Sequence, residues 1–199
     1  MSMVSLVSGG LDSTLVGVMI REQGIDNYPL FIDYGQRAAA TEWTTCQAMH
    51  EQLKLPKPVR MDLSGFGKII LSGLTSDALH IKNDAFTPTR NLLFLVAGAA
   101  YAFQVGANSV SIGFLSEEFS FFPDQTQAFI DKAEDAIHTA LGLHIKVSAP
   151  LSAFSKAAVV ELAQRKGISG TYSCHQGSSV PCGICISCLE FRGLLIKGN

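Results

Sequence analysis

A chain of 199 residues, 47% apolar and 16% charged, has the length and apolar content to bury a core and is not an intrinsically disordered segment. A formal net charge of −2 supplies no basic face for phosphate contacts, which argues against a nucleic-acid partner. The apolar run from Leu92 to Phe103 is too short to span a bilayer and suits a buried helix, so no membrane partner is expected.

In chain order, Met3, Val4, Leu6 and Val7 predict a short buried strand. It leads into Ser8-Gly9-Gly10, and then into a helix opened by Asp12, Ser13 and Thr14. Two glycines at a strand-to-helix turn let main-chain N–H groups approach a ligand closely. The helix behind them turns its free N–H groups and positive dipole end to the same spot. With the hydroxyls of Ser8, Ser13 and Thr14 added, Ser8-Gly9-Gly10-Leu11-Asp12-Ser13-Thr14 is expected to cradle phosphate. The loop lacks the G-x-x-x-x-G-K-[ST] of a Walker motif and the G-x-G-x-x-G of a dinucleotide fold. The glycines and Asp12 also interrupt the N-terminal apolar stretch, so no secretory leader and a cytoplasmic location are expected.

Further along, Tyr28 to Asp33 predicts a second strand and Ala38 to Leu53 a helix. Val59 to Asp62 is a weaker third strand, and residues 64–88 are loop with at most a short helix. Asn91 to Val105 is an alanine-rich helix, Ser109 to Gly113 a fourth strand, and Asp124 to Leu141 a helix. Its Phe129, Ala133, Ile137 and Leu141 recur at i, i+4 spacing. Ile145 to Val147 is a fifth strand and Ser155 to Lys166 a last helix. This alternation predicts an α/β, Rossmann-like parallel sheet with right-handed crossovers and helices on both faces, in one domain spanning residues 1–199. Ligands of such sheets bind beyond the carboxyl ends of the strands, so the loops after strands one, two and four should face one cleft.

Three cations stand out. Arg37 closes the cluster Asp33-Tyr34-Gly35-Gln36-Arg37 at a strand end and can fork onto phosphate. Arg90 stands where the dipole of the alanine-rich helix disfavours a cation, which calls for an anionic partner or ligand. Lys156 opens another helix.

Of five cysteines, Cys174, Cys182, Cys185 and Cys188 crowd together near the C-terminus. Clustered thiols in a cytoplasmic chain suggest a metal. Four thiolates close a tetrahedral Zn²⁺ shell at about 2.3 Å with no open position, a structural rather than catalytic site. An iron–sulfur centre fits the same spacing. His175 is not needed as a ligand. Cys46 reads as a small buried side chain. His50, His80, His138 and His144 show no partner pattern.

The string S-G-G-x-D-S-T resembles the pyrophosphate loop of the ATP pyrophosphatases, which split ATP into AMP and pyrophosphate to adenylate a substrate. The ordered set resembles one family across nearly the whole chain, 7-cyano-7-deazaguanine synthase. The set comprises Ser8 to Thr14, Asp33 to Arg37, Arg90-Asn91 with Phe94-Leu95, Pro123-Asp124, Pro150-Leu151, Lys156 and Ser173-Cys174 with Cys182, Cys185 and Cys188. The resemblance implies an adenine nucleotide alpha hydrolase-like fold with ATP, Mg²⁺ and a structural Zn²⁺. It implies a ligase that adenylates 7-carboxy-7-deazaguanine and, with ammonia, forms the amide and then the nitrile. It implies catalytic roles for Asp12, Ser13, Arg37, Arg90 and Lys156.

The family loop after the fourth strand runs approximately Asp-Phe-Ser-Gly-Tyr-Pro-Asp-Cys, and here it is Glu118-Phe119-Ser120-Phe121-Phe122-Pro123-Asp124-Gln125. Glu118, Phe121, Phe122 and Asp124 are expected to line the pocket for the acid, with planar stacking on Phe and carboxylates for a guanine-like edge. The changed loop leaves other products open. One alternative is a paralogue joining the same or a similar acid to another amine, a protein amine included. Others are a tRNA-modifying enzyme, which would call for a basic surface, and a non-catalytic binding module. A mean hydropathy of +0.26 hints at a homodimer.

Overall fold

A computed structural model describes residues 1–194. Five parallel strands form one sheet: β1 (Ser2–Val7), β2 (Asp26–Asp33), β3 (Val59–Asp62), β4 (Ser109–Ser111) and β5 (Lys146–Ser148). Their order is β3-β2-β1-β4-β5, so the direction of winding reverses at β1. The crevice beyond the carboxyl ends of β1 and its neighbours is where such a sheet binds ligands.

Helices cover both faces: α1 (Leu11–Glu22), α2 (Ala39–Gln52), α3 (Gly65–Ile69), α4 (Arg90–Val105), α5 (Gln127–Leu141), α6 (Lys156–Arg165) and α7 (Ile186–Glu190). The period-2 alternation of β1 decides which residue faces which layer. Val4 and Leu6 pack with Leu95, Ala99 and Ala102 of α4 and with Ile130, Ala133 and Ile137 of α5. Met3 joins Leu15, Val16 and Val18 of α1 and Val159 and Ala163 of α6 on the other face. The alanine-rich sequence of α4 lets the helix lie close to the sheet. A Cβ on Gly98 would stand 2.9 Å from Val110 Cγ1 and 3.3 Å from Leu6 Cδ2. Cys46 is fully buried beside Val7 and Phe31, as a small apolar side chain would be.

Several boundaries differ from the sequence-based expectation; β2, for one, starts two residues earlier, at Asp26. Helix α5 starts at Gln127 rather than Asp124, because Thr126 accepts the Phe129 N–H through its hydroxyl at 3.2 Å and caps the helix. Pro123–Gln125 ahead of it is a separate 3-10 turn. Strand β4 ends at Ser111, and β5 is shifted one residue on, to Lys146–Ser148. Helix α7 was not anticipated, since five residues show no periodicity; Cys185 caps it by accepting the Cys188 N–H. Among the described residues no helix is long and apolar enough to cross a membrane.

Candidate active site

The turn between β1 and α1 is built by its own side chains. Gly9 has φ +80, and a Cβ there would come within 2.7 Å of Cys46 N and 2.8 Å of the Glu42 carbonyl. Glycine is therefore required both by torsion and by the backbone of α2 against it. The Ser13 hydroxyl donates to the Gly10 carbonyl at 3.2 Å and accepts the Ser8 N–H at 3.2 Å. The Ser8 hydroxyl accepts the Gly10 N–H at 3.3 Å. Thr14 is buried behind the loop, and Leu11 is anchored in the core. The loop is thus held in shape before any anion arrives.

Asp12 faces Lys156, whose Nζ donates to both carboxylate oxygens at 2.9 Å. The same ammonium lies 3.3 Å from Glu190 and 4.5 Å from the centre of the Phe191 ring. Two of these partners come from α1 and α7, at opposite ends of the chain. Burial raises the Glu190 carboxyl above its ordinary range, and Lys156 opposes that rise.

The loop opens onto a cleft of two lobes. The outer lobe, of about 210 Å³, takes Ser8, Gly10, Asp12, Ser13, Lys156 and Glu190 on one side and Phe121 and Phe122 on the other. The inner lobe, of about 270 Å³, lies over the ends of β1, β2 and β4, among Phe31, Ile32, Phe94, Ile112 and Phe114. Ser8, Asp12, Ser13, Glu42, Arg90, Gln125 and His175 line both. The loops after strands one, two and four do meet here.

Arg90 has no carboxylate partner among the described residues. Its guanidinium donates weakly to Asn91 Oδ1 at 3.4 Å and sits about 6 Å from the Tyr34 and Phe94 rings. Its preceding residue, Thr89, has φ +60, an uncommon strain for a β-branched residue. An unpaired guanidinium at the lobe junction can take an anion.

Sequence reasoning missed Glu42 and His175. Burial pushes the Glu42 carboxyl up to about 7, against the opposing effects of the Gln36 hydrogen bond and Arg90. Burial, with Arg90 and Lys156 adding to it, takes His175 down to about 4, and its Nδ1 is buried without a hydrogen-bond partner. Glu42 lies in the first turn of α2, where an acid is an ordinary partner of the helix dipole, and His175 lies beside a metal-type cysteine, so neither carries a motif signal.

The remaining expected residues fall in different places. Phe121 and Phe122 line the outer lobe, their N–H groups held by Gln125 Oε1 at 2.9 and 3.0 Å. Asp124, like Glu118, lines neither lobe; its carbonyl accepts from Asn91 Nδ2 at 3.1 Å and its Oδ1 is buried and unpartnered. Glu118 is exposed on a 3-10 turn and lines neither lobe. Arg37 lines a separate open groove with Lys68 and Asp77, and its guanidinium reaches the Gly73 carbonyl at 3.4 Å.

The sulfurs of Cys174, Cys182, Cys185 and Cys188 lie within 4.8 Å of one another, a cluster that could hold a metal. A tetrahedron with metal–sulfur bonds of about 2.3 Å has edges of about 3.8 Å, close to the 4.0 Å between Cys182 and Cys188. Backbone N–H groups of Cys182, Cys185 and Cys188 already donate to sulfurs of the set at 3.3–3.4 Å, an arrangement that favours thiolates. Helix α7 carries Cys188 and is capped by Cys185, and its Ile186, Ser187 and Glu190 line the outer lobe, so the cluster lies behind one wall of the cleft.

A family model described as "Queuosine biosynthesis protein QueC" matches residues 2–194. A 7-cyano-7-deazaguanine synthase of Campylobacter concisus is 32% identical over 197 residues, covering 93% of this chain and 89% of that protein. Another, of Picrophilus torridus, is 33% identical over 213 residues, covering 98% and 88%. Among solved structures, a predicted subunit of a tRNA methyltransferase from Methanocaldococcus jannaschii superposes with a TM-score of 0.58 at 16% identity, covering 87% of this chain and 81% of that one. The NMN synthetase of Francisella tularensis gives 0.54 at 17%, covering 89% and 68%. At these identities the two structures speak for the Rossmann-like fold alone.

The shifted carboxyl of Glu42 makes a stability prediction. Its folded pKa, about 7, exceeds the ordinary carboxylate value, so the folded chain keeps a proton that the unfolded chain loses. The stability tied to that proton is full below about pH 4.5 and is lost as pH rises through 7. Glu42→Gln removes the titration while preserving shape. Urea unfolding should show the variant gaining about 1–3 kcal/mol over the wild type between pH 4.5 and 8. A gap that does not change with pH contradicts the burial argument.

Proposed function

Because the chain belongs to the QueC family of queuosine biosynthesis proteins, we propose that it is an ATP-dependent carbon–nitrogen ligase that makes 7-cyano-7-deazaguanine from 7-carboxy-7-deazaguanine and ammonia. The observation that carries this reading is the preformed Ser8–Thr14 loop opening onto both lobes of one cleft. ATP laid across it would set adenosine over the inner apolar lobe and the β,γ-phosphates on the loop N–H groups. Its α-phosphorus would then face the outer lobe, where the acid binds.

The chain's residues supply positioning and charge. Phe121 and Phe122 offer flat faces for a heteroaromatic ring. The unpartnered Oδ1 of Asp124 supports a role in reading its N–H edge. A carboxylate oxygen of the acid attacks the α-phosphorus, and pyrophosphate leaves. Arg90, Lys156 and the N–H groups of the loop stabilise the negative charge that builds there. Ser13 holds the loop, and Asp12 holds Lys156. Arg37 lines a separate groove outside both lobes and has no part in this step. Ammonia displaces AMP to give the amide, and a second ATP activates the amide oxygen, which leaves on a second AMP to give the nitrile. Holding both reactants in one cleft supplies the entropic part of the acceleration.

Two metals fit the residues present. Mg²⁺ would enter with the phosphates of ATP and neutralise charge on the leaving pyrophosphate; Asp12 and Glu190 would face it from the loop's side, with Lys156 between them. The four clustered thiols fit Zn²⁺ as a closed structural shell. A second reading, in which another amine replaces ammonia, draws on Phe121. This side chain is 57% exposed at the rim of the acid lobe and extends the apolar surface beyond what a small substrate covers.

Ser13→Ala and Asp12→Ala should abolish pyrophosphate release that depends on the acid, with circular dichroism unchanged. AMP, not ADP, should be the nucleotide product. Wild-type turnover in either folded variant sinks the loop assignment, and ADP as sole product would mean phosphorylation instead.

Elemental analysis should find one Zn²⁺ per chain. Chelation should raise hydrogen exchange first in residues 174–190, because metal binding at such a site is coupled to local folding. A stable metal-free protein, or an iron–sulfur spectrum, would contradict this.

A further inference from the structure

We propose that Glu42 is the general base that frees the attacking ammonia from ammonium. This rests on the ligase reading above. Ammonia is mostly protonated at neutral pH, so forming an amide from it releases two protons per turn, and the cleft must hold an acceptor.

The carboxylates lining the two lobes are Asp12, Glu42 and Glu190. Asp12 and Glu190 are both bound to Lys156. Glu42 has no ion pair among the described residues, and it lines both lobes, where the acyl carbon and the α-phosphorus would meet. One of its oxygens accepts from Gln36 Nε2 at 2.8 Å. Gln36 cannot turn round, because its Oε1 is engaged by the Tyr34 N–H at 2.9 Å. The carboxylate is therefore aimed by a fixed donor. The charged and titratable groups around it are Arg90 from α4, Asp33 and Tyr34 from β2 and its following turn, Tyr172 and His175 from the C-terminal segment, and Cys46 on its own helix. Asp33 is occupied by Arg60. Burial places Glu42 near neutrality, where a base is both available and strong enough to work.

Ammonium gives one proton to the free oxygen of Glu42. The nitrogen lone pair forms the C–N bond at the acyl carbon, and the C–O bond to AMP breaks with its electron pair passing to the AMP phosphate oxygen. The new nitrogen loses its second proton to water in the open cleft.

The test compares wild type and Glu42→Gln in two assays at pH 7. One is acid-dependent pyrophosphate release, which reports activation. The other is product formation with ammonium or with hydroxylamine, whose nitrogen is unprotonated at this pH. The variant should keep activation within about threefold and lose amide formation from ammonium by about 10²–10⁴-fold. It should still form hydroxamate from hydroxylamine at close to the wild-type rate. An equal loss with both amines, or a loss already at activation, assigns Glu42 a structural role and overturns the proposal. Unchanged amide formation overturns it too and leaves the ligase reading intact. Absence of acid-dependent pyrophosphate release in the wild type overturns both.

Discussion

Lys156 is the tie on which the site depends. Its ammonium sits between a carboxylate of α1 and one of α7, with the Phe191 ring over it. Removing a cation from water is costly, and its two partners do little more than offset that cost. What the bridge supplies is position. Asp12 belongs to the Ser8–Thr14 loop, and Glu190 belongs to the helix that carries Cys188 and is capped by Cys185. One buried charge therefore fixes the loop, the sixth helix and the C-terminal wall against one another. The cysteine cluster acts at a distance in the same way: a metal there would hold α7, and α7 holds the lysine. This gives a structural metal a direct consequence for a site it never touches.

The electrostatics of the cleft follow from this arrangement. With Lys156 neutralised by two acids, the cation left facing the lobe junction is Arg90, which stands at a helix start after a strained Thr89. The carboxylate lining both lobes that has no ion pair among the described residues is Glu42, which Arg90 affects only at longer range. An anion and a proton donor thus each have one such group to meet where the two lobes overlap. The apolar side chains of the inner lobe lower the local dielectric, which strengthens the charges at the junction.

The sheet was legible because each strand is an apolar run next to turn residues, and each long helix keeps its periodicity. The preformed turn between β1 and α1 was legible because its glycines and hydroxyls are contiguous in sequence, as Gly9 and Ser13 show. The cysteine cluster was legible from spacing. Glu42 and His175 were not, because burial and missing partners arise only when distant segments meet, and nothing local marks them. Helix α5 was read three residues too early because Pro123 and Asp124 are good helix starters, while Thr126 makes the cap. Arg37 shows the reverse error in reach: it follows a strand end, as expected for a cleft residue, yet its side chain turns to Gly73 and away from both lobes.

The central claim is that the cleft joins a carboxylate oxygen to the α-phosphorus of ATP. Acid labelled with ¹⁸O in its carboxyl group, incubated with the protein, ATP, Mg²⁺ and ammonium, tests it most directly by mass spectrometry of the nucleotide. The account predicts one ¹⁸O in the phosphate of each AMP formed, so that both oxygens of the acid leave on AMP when nitrile is the product. Label retained in the product with unlabelled AMP, or label appearing in inorganic phosphate alongside ADP, would contradict it.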